Sequence, residues 1–293
     1  MIQPIVALTL LFAFLTPWNF LPNAPLPSEK MKATWLWDTE MIGTPEGRAS
    51  ILQFAQEHAL GRIYVQVNGD VSRSAYSDFI GTASESGIQV HALDGAPKWA
   101  LPSHRKQLTD MVSWVTEYNR SVQPDERFGG IQIDIEPYQL PEWSTKQDAV
   151  TAQWLDATAA FASEARKQDA SLTVSAALPF WLDTVTVPET GQTAIEGMMK
   201  QLDEVTLMSY RDSAEALIEI TAAEMALGDK LGIKVFVGVE TNPVNEAAFV
   251  TFHSKGKGEM GRQMAVIDQK LSAHPSYSGI AIHDYSGWKR LKD

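Results

Sequence analysis

The stretch GGIQIDIEPY, residues 129–138, sets two carboxylates one residue apart, Asp134 and Glu136, in a run that otherwise alternates isoleucine with polar residues. Side chains of an extended strand alternate between its two faces. Gln132, Asp134 and Glu136 therefore share one face, and Ile131, Ile133 and Ile135 share the other. Burying an unpaired charge is costly, and like charges a few ångströms apart resist joint ionisation. One carboxyl of the pair is expected to keep its proton near neutral pH. A protonated Glu136 beside an ionised Asp134 is a general acid, able to protonate a leaving group. The plainer alternative is a buried hydrogen-bond network without chemistry.

Such a pair needs elements that hold it where a substrate can reach. Eight short apolar runs rich in β-branched residues punctuate the chain, at 33–38, 62–68, 88–94, 130–136, 172–178, 204–210, 234–240 and 279–285. Amphipathic stretches lie between them at 46–60, 104–120, 147–168, 213–231 and 259–273, with apolar residues recurring every three or four positions. Strand and helix in alternation predict an α/β fold, a single (β/α)8 barrel over residues 33–293. No glycine-rich phosphate turn follows any run, which argues against a doubly wound sheet.

A barrel gathers the C-terminal ends of its strands at one mouth. The runs end there in Asp38, Asn68, Asp94, Asp134 with Glu136, Tyr210 followed by Arg211 and Asp212, Glu240, and His283 with Asp284. The fifth ends instead in Pro179–Trp181. Trp37, Tyr138 and Trp181 bring aromatic faces to the same end. Carboxylates beside aromatic planes suit a carbohydrate, whose rings offer C–H faces for stacking and hydroxyls for hydrogen bonds. Candidate substrate-binding residues are thus Trp37, Asp38, Asn68, Asp94, Gln132, Tyr138, Trp181, Arg211, Asp212, His283 and Asp284. Taken singly, Asp38, Asn68 or Asp94 also reads as the cap of a following helix.

Lysine and arginine number 24 against 36 acids, a net charge of −12. That balance argues against nucleic acid or an anionic membrane surface as partner, because both require a basic footprint. The chain has no cysteine, which excludes disulfides, thiolate metal sites and a cysteine nucleophile. Its six histidines show neither H-x-H nor H-E-x-x-H spacing. No cofactor is expected, and Asp38, Asp94 and Asp134 are left as the one grouping for a hard cation. HSKGKGEMGR, residues 253–262, reads as a solvated basic loop. Ile5–Leu15 is an uncharged apolar run, shorter than the roughly 20 residues a spanning helix needs. It reads as the core of an export signal over 1–24, cleaved or kept as an anchor, with a linker over 25–32. The expected location is extracytoplasmic, with membrane contact only through that segment.

GGIQIDIEPY resembles the fourth-strand motif of family 18 glycoside hydrolases and chitinase-like proteins, D-G-x-D-x-D-x-E. Gly130, Asp134 and Glu136 stand at matching positions. LMSYRD, residues 207–212, is similar to that family's sixth-strand M-x-Y-D, with Met208 and Tyr210 in register, and GIAIHDYSGW falls where the family has its eighth strand. The resemblance implies a carbohydrate substrate. Glu136 would be the general acid, Asp134 would orient a substrate acetamide whose carbonyl is the nucleophile, and Tyr210 would hold that acetamide. Gly129 and Gln132 replace two of the family's aspartates, Arg211 replaces another, and His283 stands near its eighth-strand tryptophan. These departures open the alternative of a non-catalytic glycan-binding barrel. Ile135–Pro137 also resembles the N-E-P of retaining Glu/Glu glycosidases, in which Glu240 would be the nucleophile, with carboxyls about 5 Å apart.

Overall fold

The computed structural model describes residues 30–188, 190–245 and 247–293. The expected export signal and most of the linker lie outside the described residues. Eight strands close into one parallel barrel in chain order. They are β1 (Met31–Leu36), β2 (Leu60–Gln66), β3 (Gln89–Asp94), β4 (Gly130–Asp134), β5 (Thr173–Pro179), β6 (Glu204–Met208), β7 (Lys234–Glu240) and β8 (Tyr277–His283). β8 pairs back onto β1, with Thr34 opposite Ile282. β1 begins inside the expected linker.

The helices are α1 (Pro45–Glu57), α2 (Arg73–Glu85), α3 (Arg105–Ser121), α4 (Trp143–Gln168), α5 (Ala194–Met199), α6 (Ala214–Ile220), α7 (Ala222–Leu231), α8 (Gly256–Leu271) and α9 (Tyr285–Arg290). Thr44, Ser72, Thr193, Ser213 and Asp284 cap five of them, each side-chain oxygen accepting a first-turn backbone N–H. Three of these helices were not legible in the sequence. α2 is rich in serine, glycine and threonine, which disfavour helix, and burial of Tyr76, Phe79 and Ile80 against the barrel overrides that preference. The basic stretch 253–262 is mostly the start of α8 and not a loop.

Two apolar layers result. The outward strand residues, such as Ile131, Ile133, Val205 and Val237, pack on the helices. Inside the barrel sit Ala33, Trp35, Tyr64, Leu93, Ala177, Met208, Phe236 and Ala281. A polar column threads this interior. Trp35 Nε1 donates to Gln132 Oε1 at 2.8 Å, Gln132 Nε2 to Thr206 Oγ1 at 3.2 Å, and the Tyr64 hydroxyl to Glu204 Oε1 at 3.2 Å. The column ends in an ion pair between Arg62 and Glu204, 4% and 0% exposed. A second Arg62 nitrogen reaches Gln89 Oε1 at 2.9 Å.

Removing one member of a buried pair leaves an uncompensated charge, at a cost of about 3–5 kcal/mol. Arg62→Met is therefore expected to lower the melting temperature by about 10 °C. Adding Glu204→Leu should recover most of the loss. A double variant that melts no higher than the single one would show that the pair is not what holds this end of the barrel.

Candidate active site

β4 stops at Asp134 because Pro137, without an N–H, opens a 3-10 turn over Pro137–Gln139. Glu136 stands at the head of that turn, just beyond the strand. Glycines fix the height of this strand. A Cβ on Gly130 would come 2.5 Å from the ring of buried His91 and 2.7 Å from the Thr173 carbonyl oxygen. A Cβ on Gly95, which follows β3, would come 1.9 Å from the Asp134 carbonyl oxygen. β3 and β4 therefore approach closely at the level of the acid pair.

Asp134 Oδ1 is sealed from solvent and has no hydrogen-bond partner among the described residues. Burial first, then the charge of Glu136, push the Asp134 carboxyl up to about 7, against a small opposing pull from His283. The sequence placed the retained proton on Glu136. The structure favours Asp134, because it is the deeper of the two. Glu136 instead accepts a hydrogen bond from Gln139 Nε2. The Tyr138 hydroxyl also donates to Glu136, and burial together with that carboxylate holds the phenol far above its ordinary range.

Tyr210, just past the end of β6, faces the same space. Burial raises its hydroxyl well above the usual phenol value, and the charges of Glu240, Asp134 and Glu136 add to the effect. The mouth thus brings the other three residues expected to be catalytic around Tyr210. The Tyr210 hydroxyl has no hydrogen-bond partner among the described residues.

Glu240 is bound on both oxygens. Oε1 accepts from Thr241 N at 2.8 Å, Asn242 N at 2.7 Å and Asn242 Nδ2 at 3.1 Å. Oε2 meets His283 Nδ1 at 2.8 Å, and Trp37 Nε1 donates to His283 Nε2 at 3.1 Å. An indole N–H can only donate, so the bond fixes the neutral tautomer with its proton on Nδ1. Burial lowers the His283 pKa, but the bond and charge of Glu240, with Asp284 and Asp134, outweigh it and leave the group above its ordinary value. Charging the ring would put a second proton on Nε2 and break the bond to Trp37. The His283 ring centroid lies 5.5 Å from that of Trp35 and 5.8 Å from that of Tyr210.

An aromatic wall flanks the acid pair. Tyr138 meets Trp181 edge-on at 5.1 Å between centroids, and Trp143 meets Trp181 at 6.0 Å, all three half-buried. Other expected contacts are committed elsewhere. Gln132 is fully buried and bonded on both sides, a strut beneath the mouth and not part of its lining. Asn68 Oδ1 accepts from Asp70 N at 2.9 Å and closes its own turn. Asp212 is buried and ion-paired to Lys255 at 2.7 Å. Asp284 Oδ1 caps α9 through Gly287 N at 2.7 Å. Asp94 is half-buried, accepts from Gly95 N at 2.9 Å, and is raised chiefly by burial, while Asp38 is exposed. Among the described residues no three His, Asp or Glu side chains are arranged to hold a metal ion, so Asp38, Asp94 and Asp134 do not form the cation group the sequence left open.

Two supporting residues escaped the sequence reading. Gln139 lies three positions after Glu136, a spacing that a turn opened by proline brings together. Asn242 follows Glu240 by two, and only the folded loop reveals that it wraps the carboxylate.

No family model matches the chain, and no curated protein matches it in sequence. Solved structures do match. The GH18 chitinase ChiB of Flavobacterium johnsoniae is 15% identical with TM-score 0.54, over 88% of this chain and 89% of that one. A GH18 chitinase of Cycas revoluta, solved with (GlcNAc)4, is 10% identical with TM-score 0.52, over 88% and 95%. The intracellular xylanase TsXylA of Thermoanaerobacterium saccharolyticum is 10% identical with TM-score 0.56, over 87% and 86%. At these identities the likeness is one of fold, and the chain has the (β/α)8 barrel that glycoside hydrolases use.

The Asp134 proton has a thermodynamic signature. The folded chain holds it up to about pH 7, the unfolded chain only to its ordinary 3.8. Stability from this group is therefore complete below about pH 4 and falls as pH rises towards 7, by a few kcal/mol. Asp134→Asn is expected to melt higher than the parent at pH 8 and about equally at pH 4. A difference independent of pH would show that Asp134 titrates normally.

Proposed function

We propose that the chain is an exported glycoside hydrolase acting on a polysaccharide or cell-envelope glycan, with Glu136 as proton donor. The observation that carries this reading is the Asp134–Glu136 pair, one carboxyl raised towards neutrality at the mouth of a barrel and flanked by tyrosines and tryptophans. The proton held by Asp134 passes to Glu136, which gives it to the leaving oxygen. The sealed, unpartnered Asp134 Oδ1 and the free Tyr210 hydroxyl suit the N–H and carbonyl of a substrate acetamide. That acetamide carbonyl then attacks the sugar carbon, and no protein nucleophile is required. Glu240 fits the competing role of nucleophile less well, because four hydrogen bonds hold its two oxygens. The apolar run Ile5–Leu15 supports export.

Incubation with a panel of polysaccharides should release new reducing ends. Glu136→Gln should lower kcat about 10²–10⁴-fold. Undiminished turnover in that variant would remove Glu136 from the role, and glycan binding without turnover would mark a binding barrel. A thiazoline inhibitor should block the wild type, since it mimics the acetamide-derived intermediate. Turnover insensitive to it would return the nucleophile to Glu240.

A further inference from the structure

Arg211 lies beside the site but has no part in the chemistry above. Its guanidinium carbon sits 5.1 Å from the ring centroid of Phe180 and 5.3 Å from that of Phe249, so two rings from the β5 and β7 loops clamp it over the end of β6. Phe249 is 54% exposed, so this side of the guanidinium is open to solvent-borne ligands. Arg211 Nη1 donates to the carbonyl of its neighbour Tyr210 at 2.8 Å. That bond engages one of five N–H donors. Arg48, Arg62, Arg73, Arg105, Arg166 and Arg262 pair with carboxylates, Arg120, Arg127 and Arg290 make no ion pair among the described residues, and nearby Lys255 is neutralised by Asp212. Arg211 makes no ion pair among the described residues. A guanidinium resting against two rings, with most of its donors unengaged, in a chain of net charge −12, is prepared for an anion from outside.

We propose that Arg211, held between Phe180 and Phe249, binds a carboxylate carried by a sugar of the substrate, so that the glycan is an acidic one. This rests on the glycan reading of the mouth. The path to it is continuous. Tyr138 borders Glu136, Trp181 packs on Tyr138, Phe180 adjoins Trp181, and Arg211 lies on Phe180. Sugar rings stacked along these planes deliver a carboxylate to the open edge of the guanidinium, where a bidentate pair sets the register of the chain. The acids at the mouth repel an anion placed anywhere else along the cleft.

Titration calorimetry on the Glu136→Gln protein tests this. The ligands are an N-acetylhexosamine oligosaccharide alternating with hexuronate and one bearing lactyl ethers, each compared with its twin whose carboxyls are reduced to alcohols. At least one acidic ligand should bind about tenfold tighter than its reduced twin, and the responding arm identifies the sugar that carries the acid. Adding Arg211→Gln should bring that ratio close to one. Arg211→Lys, which keeps the charge but not the planar fork, should lower it, and it serves as the test if the glutamine variant does not fold. Equal binding of acid and twin, binding of neither, or a preference that survives both substitutions overturns the proposal. Wild-type cleavage of neutral glycans with no carboxylate preference would remove this inference and leave the hydrolase standing. A carboxylate preference in a protein that cleaves nothing would do the reverse.

Discussion

Two carboxyls one residue apart, one ending β4 and one just past it, resist joint ionisation, and much of the site is arranged around that constraint. The proton they share settles on Asp134, which is deeper and has one oxygen without a donor among the described residues. Glu136, nearer the rim, is met by Gln139 and Tyr138, both of which donate to it. Depth at the end of β4 and in the turn that follows thus gives two carboxyls different environments. The glycines at 95 and 130 matter for the same reason. They allow β3 and β4 the close approach that sets the depth of each carboxyl.

A second carboxylate, Glu240, has the opposite arrangement. With three N–H groups on one oxygen and His283 on the other, its ionised form is well satisfied. Its evident effect is on its neighbours. It holds the His283 ring, whose far nitrogen accepts a hydrogen bond from the Trp37 indole N–H, and it adds negative charge to the surroundings of Tyr210. The chain Glu240–His283–Trp37 braces β7, β8 and the exit of β1 across the mouth. An imidazole in this place can be bonded on both edges, which a purely stacking ring could not be. The departure of His283 from the family pattern therefore has a structural counterpart in this brace.

The barrel itself was legible because parallel strands buried on both faces read as apolar runs, and eight such runs at regular intervals admit few other architectures. The pair at 134 and 136 was legible because strand alternation is strict. What failed was the chemistry of ends. Asp284, Asp212 and Asn68 are polar residues at strand exits like Asp134, yet they cap a helix, pair with Lys255 and close a turn. The sequence shows that a polar group is at the rim but not which donor the loops will bring to it. Gln132 failed for a different reason. Its face was read correctly, but at its depth a bulky Trp35 and Thr206 already enclose it. The location of the shared proton was equally hidden, since it follows from relative depth along the strand.

The donors on Glu136 bear on how the proposed acid would work. Tyr138 and Gln139 both donate to its carboxyl and hold it in place. Asp134 keeps a proton two residues away near neutral pH, and its Oδ1 meets no donor among the described residues. A substrate amide at that oxygen would favour the ionised form of Asp134 and so drive the proton outward to Glu136. Substrate binding would then charge the acid, and the pair would be poised for transfer only when the mouth is filled.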